Sequence, residues 1–230
     1  MYSASLIIPI YNEEQNIENL FNEILINDIH KKVEYIVFVN DFSTDNSLKK
    51  LIRIKESYKN IKIIKHSKNL GQSSCILSGA KSISSETIIT IDGDGQNNPK
   101  DINQLLKIYF ENPDVYLVGG IRVNRKDSLI KIISSRIANK VRKFIFNDNC
   151  DDTGCSLKIL DRRIFLNFPF FHGIHRFLPA LFSGMKLKTI FIPVDHRPRK
   201  FGKSKYRTLS RLIFGIIDIY RVLVIIKKFN

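Results

Sequence analysis

The chain has 230 residues, of which 43% are hydrophobic, so it is long enough for one substantial core and short for two. Its 37 basic and 22 acidic residues give a formal net charge of +15. This charge predicts an anionic partner, which nucleic acid, an anionic membrane surface or a phosphorylated substrate would each satisfy.

Cys75, Cys150 and Cys155 have no metal-site spacing and favour reduced thiols over a disulfide framework. Because no basic segment precedes the short apolar run Leu6–Ile10, which Pro9 breaks, we expect no signal peptide and a cytoplasmic location.

Strand and helix patterns alternate along the first half of the chain. Strands are predicted at Ser5–Ile10, Tyr35–Val39, Ile61–His66 and 87–91, and helices at Glu13–Ile26, at 46–58 and after Gly71. The alternation predicts an α/β fold, a mostly parallel sheet with helices on both faces.

Polar side chains follow three of these four strands. They are Tyr11-Asn12-Glu13, Asn40-Asp41, and the carboxylates Asp92 and Asp94. In a parallel sheet such clusters converge at one edge, where open α/β folds bind ligands. Mg²⁺ and Mn²⁺ take oxygen ligands, commonly carboxylates together with substrate phosphates. Asp92 and Asp94 therefore indicate a divalent cation on a diphosphate, with an ordinary strand-end turn as the alternative.

Four motifs in this order resemble the inverting nucleotide-sugar glycosyltransferases of the GT-A fold, in family 2, especially the dolichyl- or polyprenyl-phosphate sugar synthases. The motifs are Ile8-Pro9-Ile10-Tyr11-Asn12-Glu13-Glu14, Asn40-Asp41-Phe42-Ser43-Thr44-Asp45, Asn69-Leu70-Gly71, and Asp92-Gly93-Asp94-Gly95-Gln96. The resemblance continues through Asp152-Thr153-Gly154-Cys155, His175-Arg176 and His196-Arg197-Pro198-Arg199, and it covers roughly residues 3 to 210. It implies a GT-A (Rossmann-like) domain over residues 1–206.

The resemblance also implies roles for the residues at the strand ends. The nucleotide-sugar pocket would be lined by Pro9, Tyr11, Asn12, Glu13, Asp41, Gly71 and Asp92. Asp41 would accept a hydrogen bond from the base or the ribose. Asp92, Asp94 and Gln96 would hold the Mg²⁺ or Mn²⁺ that bridges the donor phosphates. Phe42 stands where the family often has glycine, which bears on the conformation of this loop.

The second half of the chain supplies cations for an acceptor. A phosphate monoester is already anionic at neutral pH and needs cations, whereas a sugar hydroxyl generally needs a carboxylate base. By the resemblance, Arg122, Ser135 and Arg136 match acceptor-phosphate contacts, and Arg199 and Lys205 would lie near the donor diphosphate or the acceptor phosphate.

Other interpretations of these charges stay open at this point. Asp151 or Asp152 is a candidate base for a hydroxyl acceptor, and most of the basic residues, Lys140 and Lys143 included, fit solvated helix faces. His175 fits either the family motif or a packed structural position. The chain contains no tryptophan, so the Gln-x-x-Arg-Trp motif of processive polysaccharide synthases is absent and a single transfer is favoured.

Residues 207–230 carry a separate signal. The stretch Leu209–Ile226 is strongly apolar, but Asp218 and Arg221 interrupt it, so we expect an amphipathic helix that does not cross a bilayer. Its polar stripe, which includes Asp218, would face away from an apolar face lying on anionic lipid, with Lys227 and Lys228 adding attraction. The alternative is a helix packed on its own domain or on a partner subunit.

The resemblance, together with the basic charge and the C-terminal helix pattern, implies a metal-dependent glycosyltransferase that is peripheral on the inner face of the cytoplasmic membrane. It would move one sugar from GDP-mannose or a UDP-hexose to a polyprenyl phosphate. Transfer to a sugar hydroxyl of a lipid-linked or lipopolysaccharide glycan is the enzymatic alternative. A basic membrane-surface or nucleic-acid binding protein with a degenerate site is the alternative of another class. A membrane-protein subunit or a second copy of the chain would be a further partner, and no specific nucleic acid is expected.

Overall fold

The computed structural model describes residues 2–123, 139–140, 142–201 and 208–229. Within them a seven-stranded sheet is formed by β1 (Ala4–Ile10), β2 (Tyr35–Asn40), β3 (Ile61–Lys65), β4 (Thr87–Thr90), β5 (Val115–Val123), β6 (Lys158–Asp161) and β7 (Lys188–Asp195). The helices are α1 (Ile17–Ile26), α2 (Ile29–Lys32), α3 (Ser47–Ser57), α4 (Gln72–Lys81), α5 (Asp101–Glu111), α6 (Arg162–Asn167), α7 (Ile174–Gly184) and α8 (Thr208–Phe229). Residues 142–146 are also helical.

The strand order is β3-β2-β1-β4-β6-β5-β7. Among the strands in the described part of the chain, only β6 runs antiparallel to its neighbours. Ile10 of β1 lies opposite Asn40 of β2, and Ile7 lies opposite Thr90 of β4. The carboxyl ends of these three strands therefore meet at one edge, as predicted. The predicted strands are confirmed to within one residue at each end. The first helix begins at Ile17 instead of Glu13, because residues 11–16 form a loop in which Asn12 has a left-handed φ of 52°.

Apolar side chains cover both faces of the sheet. Along β1, Leu6, Ile8 and Ile10 pack on one face, and Ile7 packs on the other. Helices α1 and α5 cover the first face, and α4, α6, α7 and α8 contribute to the core on the second. Burial on both faces explains why the central strands are nearly continuous apolar runs, and it confirms the predicted α/β arrangement.

Helix α8 packs on α7 through its buried residues Val222 and Ile225. Asp218 is only 1% exposed and pairs with Arg176 at 3.3 Å and with Arg221 at 3.2 Å. Asp218 of the predicted polar stripe is therefore buried against the arginine at the start of α7, whereas Arg221 of the same stripe is exposed, and α8 packs on its own domain, which was one of the two alternatives. Among the residues of α8 whose burial is described, the exposed ones include the large apolar or aromatic side chains Ile217, Tyr220, Leu223, Val224 and Phe229, together with Arg221, Lys227 and Lys228. No helix in the described part of the chain has the length and apolarity that crossing a bilayer requires.

Candidate active site

Two loops interlock at the carboxyl edge of the sheet, one after β1 and one after β2. The backbone N–H of Asn12 donates to Ser43 Oγ at 3.0 Å, and the N–H of Thr44 donates back to Asn12 Oδ1 at 2.7 Å. Further bonds join Glu13 N to Ser47 Oγ, Glu14 N to Asp45 Oδ2, and Asn46 N to Glu14 Oε2. These reciprocal bonds fix the two loops as one unit. Phe42 lies inside that unit with a φ of 63°.

The buried carboxylate of Asp41 ties β2 to the segment before α4. It accepts from the backbone N–H groups of Leu70 at 2.9 Å and Gly71 at 2.7 Å, and His66 Nδ1 lies 2.7 Å from it. Gly71 has a φ of +83°, in the region that favours glycine. The Asn69-Leu70-Gly71 motif thus places two backbone donors on Asp41.

Asp41, His66 and Cys75 also form a buried group of metal-ligating residue types, with ligand atoms within 4.8 Å of one another. A thiol and an imidazole suit Zn²⁺ better than the hard cations Mg²⁺ and Mn²⁺. Burial raises the pKa of the Cys75 thiol far above its usual value, which keeps it protonated. His66 Nε2 lies 2.9 Å from Ser78 Oγ, so the imidazole is hydrogen-bonded on both sides. We interpret this group as a structural hydrogen-bond network that joins the end of β2 to α4, and not as a metal site. All three cysteines of the chain are buried and free of disulfide bonds.

The paired carboxylates after β4 lie beside groups from three distant segments. Asp92 Oδ1 accepts from Gln72 Nε2 at 2.6 Å, and its backbone N–H donates to Ser156 Oγ at 3.1 Å. Asp94 Oδ2 accepts from Arg199 Nη2 at 2.8 Å, and the same nitrogen lies 3.2 Å from Glu13 Oε1. Desolvation, and secondly the neighbouring charge of Asp94, raise the pKa of Asp92 to about 7. The site therefore concentrates negative charge that a cation would stabilise.

Gly93, between the two carboxylates, is required by packing. A Cβ at this position would lie 2.4 Å from Ile10 Cδ1 and 2.9 Å from the backbone oxygen of Pro9. The chain can therefore pass this closely over the end of β1 only without a side chain at residue 93.

The donor set fits a hard divalent cation. Asp92 and Asp94 offer carboxylate oxygens, and Gln96 uses its amide nitrogen on the carbonyl of Arg197 at 3.2 Å, so its amide oxygen is the atom a cation would take. The guanidinium of Arg199, which is bonded to Asp94, already places one positive charge beside this carboxylate pair.

The segment that carries Arg199 is held by a second pairing. Both terminal nitrogens of Arg197 donate to the Glu23 carboxylate of α1, at 2.8 and 2.6 Å, and the Arg197 N–H donates to the carbonyl of Gln96 at 2.8 Å. A bidentate arginine–carboxylate pair fixes orientation as well as distance. Sequence reasoning missed Glu23 and Gln72. Gln72 alone had a local signal, since it directly follows the Asn69-Leu70-Gly71 motif.

Arg122 and Asp152, assigned to alternative roles by sequence, are partners. Asp152 is buried and accepts from the Arg122 backbone N–H at 3.2 Å, from Nε at 2.6 Å and from Nη2 at 2.7 Å. Asp151 is exposed and pairs with Lys143 at 2.6 Å. The predicted site residues Ser135, Arg136 and Lys205 lie outside the described residues.

Two more residues of the second half, Arg142 and His175, have polar partners within the fold. Arg142 is buried against Asp148 at 2.8 Å, an arrangement that sequence reasoning missed. His175 Nδ1 lies 2.7 Å from Ser73 Oγ, which also accepts from the N–H of Gly173 at 2.9 Å. The first turn of α4 thus touches both the carboxylate pair, through Gln72, and the start of α7, through Ser73.

The parallel sheet edge with interlocked loops and an Asp-x-Asp pair has the architecture of the GT-A fold. Solved structures of glucosyl-3-phosphoglycerate synthase from Mycobacterium tuberculosis share it. The complex with Mn²⁺, UDP-glucose and glycerol 3-phosphate superposes with a TM-score of 0.72 at 15% identity, over 96% of this chain and 78% of that one. The complex with Mg²⁺ and UDP gives a TM-score of 0.68 at 15% identity, over the same shares of both chains. At this identity the likeness confirms the predicted fold.

The chain belongs to glycosyl transferase family 2, whose family model matches residues 5–168. It is 37% identical over 218 residues to the undecaprenyl-phosphate 4-deoxy-4-formamido-L-arabinose transferase of Photorhabdus laumondii, and 34% identical over 218 residues to that of Yersinia pestis. Each match covers 94% of this chain and 66% of the relative, so the chain spans slightly less than two thirds of the length of these relatives.

Proposed function

We propose that this protein is an inverting glycosyltransferase that moves one sugar from a nucleotide-sugar to a polyprenyl phosphate. The observation that carries the proposal is the Asp92–Asp94 pair at the sheet edge, with Arg199 bonded to it, in a chain of this family. Its relatives at 34–37% identity are named as undecaprenyl-phosphate sugar transferases, which supports the lipid-phosphate acceptor.

The donor would lie along the interlocked loops. Pro9, Tyr11, Asn12, Glu13, Asp41 and Gly71 would surround the nucleotide, with its diphosphate toward Asp92, Asp94 and Gln96. Mg²⁺ or Mn²⁺, when bound by these three residues, supplies charge neutralisation on the departing nucleoside diphosphate. Arg199 would exchange its bond to Asp94 for the diphosphate oxygens, since a guanidinium binds phosphate with two parallel hydrogen bonds.

The acceptor would be a phosphate monoester, whose oxygen is anionic at neutral pH and needs no general base. Its oxygen attacks the anomeric carbon as the bond from that carbon to the diphosphate oxygen breaks, and this single displacement inverts the configuration. Arg122, Ser135 and Arg136 would hold the acceptor phosphate, and Lys205 would lie near this phosphate or the donor diphosphate. The carboxylate of Asp152 supports this choice over a hydroxyl acceptor, because its two oxygens already accept from Arg122.

Helix α8 would hold the protein at the inner face of the cytoplasmic membrane. Its exposed apolar residues, among them Tyr220 and Val224, are followed by the exposed Lys227 and Lys228. Apolar area and cationic flanks together bind anionic bilayers. A membrane-protein subunit or a second copy of the chain covering this face is the competing arrangement.

A transfer assay tests the proposal. Radiolabelled GDP-mannose, UDP-hexoses and a nucleotide carrying 4-deoxy-4-formamido-L-arabinose are each incubated with short-chain polyprenyl phosphate, with Mn²⁺, with Mg²⁺ and with chelator. We expect metal-dependent label in an acid-labile lipid product, lost in Asp94→Asn. The matched control is Asp114→Asn, which removes an exposed carboxylate paired with Lys188.

Three other outcomes would redirect the assignment. Donor binding without lipid product would move the acceptor to a glycan hydroxyl. Full activity in Asp94→Asn would overturn the metal site. No donor binding, with salt-sensitive binding to anionic surfaces, would favour the basic surface-binding protein.

A further inference from the structure

The backbone at Phe42 has an unusual conformation for an aromatic residue. Its φ of 63° lies in the left-handed region, where a Cβ crowds the following carbonyl oxygen and the conformation is strained. The other non-glycine residues with positive φ in the described chain are Asn12, Asp28, Asn147, Asn149 and Lys186. Four of these five are Asn or Asp, which tolerate this region because their short side chains bond locally.

Packing of the Phe42 side chain in the core does not offset this backbone strain. The Phe42 side chain is 47% exposed and belongs to neither buried cluster of the core. The conformation is imposed by its neighbours: Asp41 is bonded to Leu70 and Gly71, and Ser43 is bonded to Asn12. A strained, solvent-exposed aromatic residue held by its surroundings at a ligand-binding edge points to a binding role.

The hydrogen bonds of Asp41 limit how a nucleobase could be recognised next to Phe42. A carboxylate offers about four acceptor positions. In Asp41, the N–H groups of Leu70 and Gly71 and the imidazole of His66 bond to these positions, and the Cys75 thiol lies within 4.8 Å of the carboxylate. A nucleobase that bonded to Asp41 would have to share the carboxylate with these three groups. The flat face of a base, by contrast, can be recognised by an aromatic ring without any free hydrogen-bonding group.

We propose that Phe42 is a specificity-determining residue, whose ring packs on the nucleobase of the donor. The inference deepens the proposed function and rests on it, since it requires a nucleoside diphosphate at the carboxyl edge of β1, β2 and β4. The interlocked loops hold the residues on both sides of Phe42, so the position from which the ring projects is set before the nucleotide binds.

The test uses Phe42→Gly, because glycine adopts the native φ and the substitution removes the ring without distorting the loop. Calorimetry measures the affinity for UDP, for GDP and for inorganic pyrophosphate, each with Mn²⁺. We expect the affinity for the preferred nucleoside diphosphate to fall about tenfold, as loss of one base–aromatic stack predicts, with that for pyrophosphate unchanged. Phe42→Tyr keeps a ring and should keep the affinity within about twofold.

The matched control is Lys186→Gly, an exposed residue with a φ of 60° in the turn between α7 and β7. Both glycine variants should keep or raise the unfolding temperature, by up to about 4 °C, because both relieve left-handed strain. Only Phe42→Gly should lose nucleotide affinity.

The outcomes separate the two proposals. Equal nucleotide affinity in wild type and Phe42→Gly, or a parallel loss for pyrophosphate, overturns the role of Phe42 and leaves the proposed function standing. A wild-type protein that binds neither nucleotide overturns both. A lower unfolding temperature in Phe42→Gly would show that the ring serves the fold, which also contradicts the inference.

Discussion

The guanidinium of Arg199 lies 2.8 Å from a carboxylate oxygen of Asp94, so a positive side chain already compensates part of the charge at the paired carboxylates. The two residues are 105 positions apart in the chain. A cation that bound Asp94 through Oδ2 would have to compete with Arg199 for this oxygen atom. In the proposed function, binding of the cation and movement of the arginine toward the diphosphate would therefore be coupled.

Removing this competitor should tighten cation binding in the nucleotide-free protein. We expect Arg199→Gln to raise Mn²⁺ affinity about three- to tenfold, because one nearby positive charge is lost, and to lower nucleoside diphosphate affinity. Titration followed by electron paramagnetic resonance measures free Mn²⁺ directly. Arg163→Gln removes the same charge from an exposed position on α6 and should change neither affinity. Weaker Mn²⁺ binding in Arg199→Gln would show that the arginine supports the cation site and does not compete for it.

The neighbouring residues Asp151 and Asp152 should respond differently to the same substitution. Asp152→Asn removes the partner of a largely buried arginine and should lower the free energy of unfolding by about 3 kcal/mol. Asp151→Asn breaks an exposed pair with Lys143 and should cost under about 1 kcal/mol, with turnover within about twofold of wild type. Denaturant unfolding and the transfer assay measure both. A folded Asp151→Asn protein without turnover would establish a general base and a hydroxyl acceptor.

The absence of a side chain at Gly93 should prove necessary. Gly93→Ala places a Cβ 2.9 Å from the Pro9 carbonyl oxygen, which cannot move without shifting β1, so we expect a loss of about 1–3 kcal/mol and weaker Mn²⁺ binding. Gly215→Ala is the control, since a Cβ on this glycine of α8 meets nothing within 4 Å and alanine favours the helix by about 1 kcal/mol. Thermal unfolding of the two variants should shift in opposite directions. Equal stabilities would mean that β1 yields to the added methyl group.

Two valines on α8 separate packing from membrane attachment. Val222 is fully buried and Val224 is 50% exposed. Val222→Asp should cost about 3 kcal/mol or more, because it buries a charge without a partner. Val224→Asp should leave stability within about 0.5 kcal/mol of wild type and reduce cosedimentation with vesicles containing anionic lipid. Unchanged vesicle binding by Val224→Asp would indicate that a protein surface covers this face.

The sequence determined the architecture and the location of the site because both depend on local patterns. Apolar runs of strand length, each followed by polar residues, specify buried parallel strands whose ends must share one edge. This placed Tyr11, Asn40-Asp41 and Asp92-Asp94 together without any knowledge of their contacts. The Asp-Gly-Asp spacing also identified the carboxylate pair, although the need for glycine became clear only from the packing of Gly93 on Pro9.

Only the tertiary structure decided which charged residues pair with each other. Arg122 bonds Asp152, Arg199 bonds Asp94, and Asp218 turns inward to Arg176, over separations of 30, 105 and 42 residues. Helical periodicity placed Asp218 on the polar stripe of α8 but did not identify its partner, because periodicity measures only the polarity of a helix's own faces. The pairing of a charge depends on which groups the rest of the fold brings within hydrogen-bonding distance, and no local pattern carries that information.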